Sequence, residues 1–271
     1  MKKEKLEILL SHFMLIIVVL AVLFPVFFIF TASLRSTFIP PSLMPESITF
    51  QNFVKLFREQ HFILWAVNTA IICLGTIILT FVMICPAAYA FSFMKFAGRK
   101  QMLAFMLFAQ MFPSLVGMVA IYKIMSSLGL VNLAGMILIY AGSSVPFYTW
   151  FLKGYMDTIP KTLVEASIMD GAGHFKTFVK VILPLAKPAL GVIAFMAFLV
   201  PYNDFILPSF MLEYPDTTLV YGLATLAGIG GRAPDYPLLA AGVLLASIPL
   251  LVVFLIFQRY LIMGLTRGAI K

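Results

Sequence analysis

The sequence predicts an all-α integral membrane protein with six transmembrane helices. Of the 271 residues, 62% are hydrophobic and 11% are charged, and the mean hydropathy is +1.04. So few charged side chains cannot cover the surface of a soluble protein of this size. Six apolar segments are each long enough to cross a hydrocarbon core of about 30 Å; they are residues 9–30, 62–91, 102–122, 133–152, 189–208 and 237–257. We interpret residues 1–271 as a single membrane-spanning domain.

The first apolar segment, residues 9–30, follows three lysines and is interpreted as a retained transmembrane helix. A secretory signal is the competing interpretation. The apolar region of such a signal is usually shorter and is followed by a small-x-small cleavage site, which is weak here. We therefore expect this segment to remain as the first span.

The Lys and Arg residues are divided unequally between the two sides of the predicted membrane domain. Fourteen of the 19 fall in the N-terminus, residues 95–100, the loop at residues 153–188 and the C-terminal tail; five fall on the other side. Cytoplasmic loops carry an excess of Lys and Arg. Both termini and the loop 153–188 are therefore predicted to be cytoplasmic, and residues 48–57 are predicted to form a short helix at the outer surface.

Charge, cysteine and histidine content argue against nucleic-acid binding, a disulfide and a metal site. The net charge of +8 lies in short blocks between apolar runs rather than on an aromatic-interleaved basic face, so topology explains it better than nucleic-acid binding. Cys73 and Cys85 are twelve residues apart in one apolar segment, about 18 Å along a straight helix, which excludes a disulfide between them. His12, His61 and His174 are scattered, and no metal site is predicted.

No catalytic constellation is found in the sequence. The phosphate-binding pattern GxxxxGK[ST] does not occur, so the chain is not expected to bind ATP through that motif. No Ser/His/Asp or Cys/His set can be assembled from loops on one side. The chain is therefore predicted not to be an enzyme, and its function is the passage or docking of something at a membrane.

The most informative polar stretch is residues 160–188, PKTLVEASIMDGAGHFKTFVKVILPLAKP. Its first ten residues have apolar side chains at helical spacing, namely Leu163, Val164, Ala166 and Met169. Gly171 and Gly173 then predict a turn, because glycine adopts backbone angles with φ > 0 that other residues resist. A second amphipathic run follows, with Phe175, Phe178, Val179 and Ile182, and ends at two prolines. This stretch predicts two short helices joined by a turn.

The residue spacing in this loop resembles the EAA motif, EAA-x3-G-x9-I-x-LP, of ABC importer permeases. The matching positions are Glu165-Ala166-Ser167, Gly171, Val181 and Leu183-Pro184. Ser167 replaces the second Ala and Val181 replaces the Ile. The resemblance implies a type I ABC importer permease fold in a prokaryotic inner membrane. It also implies that the loop couples to a cytoplasmic ATPase through Glu165, Ala166, Ser167, Asp170, Gly171, Leu183 and Pro184.

In this coupling interpretation, Glu165 and Gly171 each have an expected physical role. Glu165, taken as lying near the start of its helix, is expected to interact with the helix dipole and to accept hydrogen bonds from a partner. Gly171 is expected to set the angle between the two helices. The competing interpretation is an amphipathic loop lying on the membrane surface.

Further segments resemble the smaller of two unlike permeases in the maltose-type branch of sugar importers. They are Met111-Phe112-Pro113, Lys153-Gly154-Tyr155, and Gln258-Arg259-Tyr260 with Gly264-Leu265-Thr266 and Gly268. The resemblance implies four kinds of partner: a second permease, an ATPase dimer that holds ATP and Mg, an extracytoplasmic solute-binding protein and the lipid bilayer. It places Gly264, Thr266 and Gly268 at the ATPase interface and implies no cofactor in this chain.

The outer end of the fifth span suggests a substrate path or outer gate formed by Tyr202, Asn203 and Asp204. A carboxylate at membrane depth is costly and often functional, although it is cheap near the interface. Three further aromatic residues are candidates for stacking on sugar rings: Phe205, Phe147 and Tyr148. Aromatic residues at a membrane interface are expected without any such role.

Other polar or flexible positions have two interpretations each. Residues 228–231 fit an outer loop that approaches the binding protein, and they fit ordinary turn chemistry nearly as well. Asn68 and Gln110 are interpreted as packing contacts between helices rather than as pathway residues.

The predicted function is import of a carbohydrate, with a maltodextrin-type oligosaccharide as the expected cargo, by alternating access. One alternative keeps the transporter class and changes the cargo to a glycerol phosphodiester, a polyamine or another small solute. A phosphate or carboxylate cargo would favour Lys or Arg facing the pathway, and the spans hold almost none. The remaining alternative is a stand-alone secondary transporter or channel, which needs no partners.

Overall fold

The computed structural model describes residues 2–36, 48–111, 114–231 and 233–269, and no β-strand occurs in these ranges. The first helices in chain order are α1 (Lys2–Ser33), α2 (Gln51–Arg58), α3 (Phe62–Phe93), α4 (Arg99–Ala109), α5 (Ser114–Ser127) and α6 (Leu133–Met156). Then come α7 (Lys161–Met169), α8 (His174–Thr177), a π-helical turn (Phe178–Ile182), α9 (Leu183–Leu185), α10 (Lys187–Asn203), α11 (Ile206–Met211), α12 (Leu219–Leu226) and α13 (Tyr236–Ala269). The predicted all-α class is confirmed.

Four of the described helical segments are long and apolar enough to cross a membrane. They are Glu7–Ser33, Phe62–Phe93, Leu133–Met156 and Tyr236–Ile262, and they contain the predicted first, second, fourth and sixth spans. A fifth arises if His174–Leu185 and Lys187–Asn203, which meet at an angle of 77°, are taken as one bent span. α10 covers most of the predicted fifth span, residues 189–208, but it begins at Lys187 and ends at Asn203.

The predicted third span, residues 102–122, is shared between α4 and α5 instead of forming one helix in the described residues. α4 has 11 residues and α5 has 14, so neither crosses a bilayer alone. Phe112 and Pro113 lie outside the described residues. The count of six spans stays a prediction.

The helices group into two compact units, one formed from Met1–Ile63 and Gly222–Pro249 and the other from Leu64–Tyr221 and Leu250–Lys271. In the first unit, α2 corresponds to the predicted short outer helix. Its buried Asn52 donates hydrogen bonds to the carbonyl oxygens of Ser33 and Arg35, at 2.8 and 2.7 Å. These bonds join α2 to the segment that ends α1.

The larger core belongs to the second unit, where α3, α6 and α10 pack together. Its most buried side chains include Ile84, Ala88, Leu152, Met156 and Ile193. α10 and α13 also approach closely, because a Cβ at Gly191 would lie 2.5 Å from a ring carbon of Tyr260. This packed scaffold carries the loop predicted from the sequence at one end and a smaller apolar cluster, around Met136, Met211 and Leu212, elsewhere.

Candidate functional site

The predicted loop forms two short helices joined by a tight turn, as expected. α7 ends at Met169, and Asp170 and Gly171 close the turn through backbone bonds to Ala166 and Ile168, at 2.9 and 3.0 Å. Gly171 has φ = +80°, a conformation that L-residues with side chains rarely adopt. Nothing lies within 4 Å of a Cβ built there, so the requirement for glycine is conformational rather than steric.

A hydrogen bond between side chains fixes the two helices to each other. Ser167 Oγ lies 2.9 Å from Thr177 Oγ1, and the Ala172 N–H donates to the carbonyl oxygen of Ser167 at 3.0 Å. Thr177 is fully buried. Ser167, which departs from the EAA pattern, therefore supplies a contact that alanine cannot make.

Apolar side chains inside the loop anchor it to the scaffold. Val164 of α7 and Ile182 of the π-helical turn are buried in the same core as Leu152 and Met156 of α6. The ring of Phe178 lies 5.2 Å from that of Tyr89 in α3. The loop is thus packed against two long helices.

The outer face of the loop carries large apolar side chains that the described chain leaves largely or partly uncovered. Met169 is 87% exposed and Phe175 is 79% exposed, and Leu163 and Ile168 are each 41% exposed. The predicted apolar stripe of α7 therefore points mainly outward, and Val164 alone of its members is buried. Exposed apolar surface of this kind marks an interaction site.

The expected dipole interaction of Glu165 is wrong. α7 begins at Lys161 and has no acidic residue in its first turn. Glu165 lies one turn later, where the effect of the helix dipole has fallen away. Its side chain is exposed on the loop, where it can reach a partner directly.

Leu183 and Pro184 lie where the loop passes into α10. They form the short helix α9, in which Pro184 is exposed and Leu183 is half-buried. The chain bends by 77° between His174–Leu185 and Lys187–Asn203. The end of the motif therefore marks a sharp change in chain direction.

The C-terminal residues that resemble those of maltose-type permeases continue a helix instead of forming a separate tail. α13 runs from Tyr236 to Ala269, beyond the apolar segment that ends at Ile262. Gly264, Thr266 and Gly268 belong to this last part of the helix, and their side chains lie outside what the structure describes.

The outer candidate residues make hydrogen bonds within the chain. Asp204 Oδ2 accepts a bond from the Tyr140 hydroxyl at 2.8 Å, and Asp204 Oδ1 accepts one from the Ile206 N–H at 2.9 Å. Asn203 is exposed and donates to the carbonyl oxygen of Leu199 at 3.0 Å. Asp204 thus ties the start of α11 to α6.

Two of the candidate aromatic residues are packed inside the chain. Tyr202 is 6% exposed and stacks on Phe198 with ring centroids 5.0 Å apart. Tyr148 is 5% exposed and belongs to the large core, whereas its neighbour Phe147 is 41% exposed. Tyr148 is therefore a core residue and not a platform for sugar stacking.

Buried polar side chains of α3 hold the outer turn at residues 212–218. Asn68 donates to the carbonyl oxygens of Pro215 and Thr217, at 2.8 and 3.0 Å. Thr69 Oγ1 accepts from the Leu219 N–H at 2.8 Å. The packing interpretation of Asn68 is supported, although it contacts a turn rather than another helix.

A cavity of about 450 Å³ lies beside this outer turn. Its lining includes four aromatic and two acidic side chains: Tyr122, Phe210, Tyr214, Tyr221, Glu213 and Asp216. No local sequence pattern marks this cavity, because its lining residues come from separate helices and turns. Nor does one mark Thr177 or Tyr140, whose partners are distant in sequence or lie across a turn.

The comparisons with known families and proteins agree with this geometry. The family described as the binding-protein-dependent transport system inner membrane component matches residues 83–267. The chain is 37% identical over 227 residues to the maltodextrin transport system permease protein MdxG of Bacillus subtilis, covering 83% of this chain and 81% of MdxG. It is 34% identical over 276 residues to the galactooligosaccharides transport system permease protein GanQ of the same organism, covering 99% of this chain and 97% of GanQ.

A third relative and a solved structure extend the match over nearly the whole chain. The chain is 32% identical over 292 residues to the maltose/maltodextrin transport system permease protein MalG of Salmonella typhimurium, covering 100% of this chain and 98% of MalG. Its fold matches a chain of a bacterial ABC transporter involved in the import of the acidic polysaccharide alginate. The TM-score is 0.83 and the sequence identity is 22%, and the match covers 96% of this chain and 98% of the other. The predicted fold of a type I ABC importer permease is confirmed, and the chain belongs to the family of binding-protein-dependent transport system inner membrane components.

Proposed function

We propose that this chain is a permease subunit of an ATP-driven importer for a carbohydrate, with a maltodextrin-type oligosaccharide as its cargo. Membership of the family supports import that depends on a binding protein. The names of its relatives, which include maltodextrin and galactooligosaccharide permeases, support a carbohydrate. A neutral cargo also agrees with apolar spans that hold almost no Lys or Arg.

The observation that carries the proposal is the exposed apolar face on either side of Gly171. Burying a side chain such as Met169 or Phe175 is worth about 1.5–3 kcal/mol relative to leaving it in water. A cleft on a cytoplasmic ATPase that accepted this face would gain that free energy, with Glu165 beside it for a polar contact. The partner, and not this chain, then holds ATP and Mg.

The anchoring of the loop explains how movement of the ATPase would reach the membrane. Val164 and Ile182 are buried in the core that also contains α6 and α10. A displacement of α7 therefore pushes on packed side chains rather than on a free loop. Closure of the ATPase dimer tilts α6 and α10 as one body, which is the movement that alternating access requires.

We assign a second ATPase contact to the end of α13. The helix continues for several residues beyond the apolar segment that ends at Ile262. With both termini in the cytoplasm, the end of the helix that contains Gly264, Thr266 and Gly268 would lie on the same side of the membrane as the ATPase dimer. The excess of Lys and Arg on this side supports the orientation.

We assign Tyr202, Asn203 and Asp204 to an outer gate that acts by positioning rather than by touching sugar. Asp204 fixes α11 relative to α6 through its bonds to Tyr140 and Ile206. α11 in turn borders the cavity beside the outer turn. Sugar delivered by the docked binding protein passes this cavity, whose aromatic and acidic lining suits hydroxyl-rich ligands.

A second, unlike permease completes the pathway. α1 offers a large apolar surface for such a subunit or for lipid, because no residue of its most apolar window is buried within this chain.

Transport in proteoliposomes tests the proposal. The chain is reconstituted with a second permease, an ATPase and a solute-binding protein of the same importer, and ATP is supplied on the side of the membrane where the ATPase is bound. We expect ATP-dependent uptake of labelled maltotriose that requires the binding protein. Uptake of a polyamine or a glycerol phosphodiester instead of any oligosaccharide would refute the cargo, and full transport by the chain alone would refute the importer mechanism.

A further inference from the structure

A second cavity, of about 490 Å³, lies where the turn between α3 and α4 meets the end of α6. Four of its lining side chains are basic: Lys95, Arg99, Lys100 and Lys153. They come from two separate segments of the chain. Neither the loop at residues 160–188, here called the EAA loop, nor the outer gate accounts for a cavity with this composition.

The four basic groups are only partly neutralised within the described residues. Lys153 forms a salt bridge with Asp157, and Arg99 donates to the carbonyl oxygen of Met94 at 3.3 Å. No salt bridge to Lys95 or Lys100 occurs in the part of the chain that the structure describes, and both are exposed. Four cations and one carboxylate leave three positive charges around the cavity.

An exposed apolar stripe begins next to the cavity and runs along α4. Met102, Phe105 and Phe108 follow one another at intervals of three residues, which places them on one side of the helix. They are 51%, 72% and 70% exposed, and α4 has no buried residue. Phe96, which lines the cavity, is also 40% exposed.

We propose that this cavity binds the headgroup phosphate of an anionic phospholipid, whose acyl chains lie along Met102, Phe105 and Phe108. Basic pockets between membrane helices at the level of the headgroups are suited to such lipids. A soluble phosphate has the same charge chemistry, but it gives the apolar stripe no role. The combination of a basic cavity with a lengthwise apolar surface favours the lipid.

The position of Lys153 links this lipid to the rest of the protein. Lys153 lies in the last turn of α6, and its carbonyl oxygen accepts a bond from Ser92 of α3 at 3.4 Å. α6 leads directly into the loop that begins at Lys161. Occupancy of the cavity therefore bears on the end of a helix that supports the loop.

Lysine footprinting of the assembled complex tests the lipid directly. The complex is placed in nanodiscs of phosphatidylcholine, with or without phosphatidylglycerol, and acetylation of Lys95 and Lys100 is followed by mass spectrometry. A separate sample in phosphatidylcholine receives soluble glycerol phosphate. We expect phosphatidylglycerol to slow acetylation of these two lysines, and glycerol phosphate to leave it unchanged.

The other outcomes overturn the proposal. Equal protection by glycerol phosphate would identify a soluble phosphate site. Equal protection of Lys55 and Lys123, which are exposed and do not line the cavity, would show general attraction of basic side chains to anionic lipid. Absence of protection at Lys95 and Lys100 would show that no headgroup binds there.

Matched triple variants give an independent measurement. Lys95→Gln, Arg99→Gln and Lys100→Gln together remove three charges from the cavity, and Lys55→Gln, Arg58→Gln and Lys123→Gln remove three from exposed positions that do not line it. At roughly fivefold for each basic side chain, the cavity variant should retain phosphatidylglycerol about 100-fold less tightly in native mass spectrometry. Equal retention by the two variants would contradict the site, and the footprint of the wild-type complex decides the question if the cavity variant fails to assemble.

Discussion

The EAA loop and the outer turn both interrupt the apolar helices, but they use their side chains in opposite ways. In the loop, Met169 and Phe175 are more than three-quarters exposed and contact little of their own chain. The outer turn is instead held by polar side chains of α3, because Asn68 and Thr69 make hydrogen bonds to its backbone and to the start of α12. Asp204, which follows α10, likewise bonds to Tyr140 and Ile206 of the same chain. The loop presents apolar side chains outward, whereas the backbone of the outer turn bonds to polar side chains of α3.

This difference shows which residue types indicate function in each place. A polar side chain at membrane depth needs a partner, and an internal hydrogen bond satisfies it without any ligand. An apolar side chain in an aqueous loop costs free energy until something covers it. The exposed apolar residues of the loop are therefore the stronger indication of a binding partner.

The two regions are expected to lie on opposite sides of the membrane, and cysteine labelling gives an all-or-none test. In a background without Cys73 and Cys85, single cysteines at Ser47 and Asp216 should react with an impermeant reagent in intact cells. A cysteine at Lys176 should react only after the membrane is opened, because the excess of Lys and Arg predicts that this side is cytoplasmic. External labelling at Lys176 would overturn the orientation.

A charge placed on the exposed face of the loop should have the largest effect on assembly. Met169→Asp and Phe175→Asp each forfeit about 1.5–3 kcal/mol of burial at the interface with the ATPase, which is roughly a 10- to 150-fold loss of affinity. Copurification of the ATPase subunits with the tagged chain measures the loss. Thr158→Asp, which adds the same charge outside the two helices, is the control, and an equal loss in that variant would show an effect of charge alone.

An intermediate effect is expected at the outer gate. Asp204→Asn keeps the bond from the Ile206 N–H but removes the acceptor of the Tyr140 hydroxyl, which should destabilise the fold by about 1–3 kcal/mol. Tyr140→Phe in the same chain should recover part of this cost, because the hydroxyl that has lost its acceptor is then removed as well. Thermal unfolding of the purified complex and initial uptake rates measure the two effects. Normal stability and normal uptake of every tested sugar in Asp204→Asn would assign Asp204 to neither gate nor packing.

The smallest effect is expected for Ser167→Ala, which restores the residue of the EAA pattern. The variant loses the bond to Thr177 and should cost about 0.5–1.5 kcal/mol, with uptake close to that of the wild type. Thr177→Val in addition should return most of the stability, since the buried hydroxyl is then removed as well. A complete loss of uptake in Ser167→Ala would mean that this hydroxyl contacts the partner instead.

The sequence predicted most of the helical architecture because a bilayer restricts which segments can cross it. A segment that spans the hydrocarbon core must be long, apolar and helical, and four predicted spans agree with long helices. The rule fails at residues 102–122, where α4 and α5 are separate helices in the described residues. An apolar segment has the same hydropathy whether its helix is continuous or divided.

The sequence predicted the turn of the loop better than the direction of its faces. Gly171 indicated a positive φ by its residue type, and the structure has φ = +80° there. Helical spacing of Leu163, Ala166 and Met169 identified an apolar stripe but could not say whether it packs inward or outward. The bond between Tyr140 and Asp204 joins residues 64 positions apart, and no local pattern marks such a pair.

The most direct test of the coupling role compares substitutions at Gly171 and Glu165. Gly171→Val places a β-branched residue at a positive φ, whereas Gly171→Asn substitutes a residue that tolerates this conformation. Glu165→Lys reverses the charge on the exposed helix, and Glu165→Gln keeps its shape. None of these positions lies in a membrane span, so insertion and pairing with the second permease should survive.

The measurement is ATP hydrolysis by the reconstituted complex with and without sugar-loaded binding protein, together with sugar uptake. Gly171→Val and Glu165→Lys should lose the stimulation by the binding protein and the uptake, either in the intact complex or through loss of the ATPase subunits. Gly171→Asn and Glu165→Gln should retain most of both. Normal stimulation and normal uptake in both Gly171→Val and Glu165→Lys would show that this loop does not couple the permease to the ATPase.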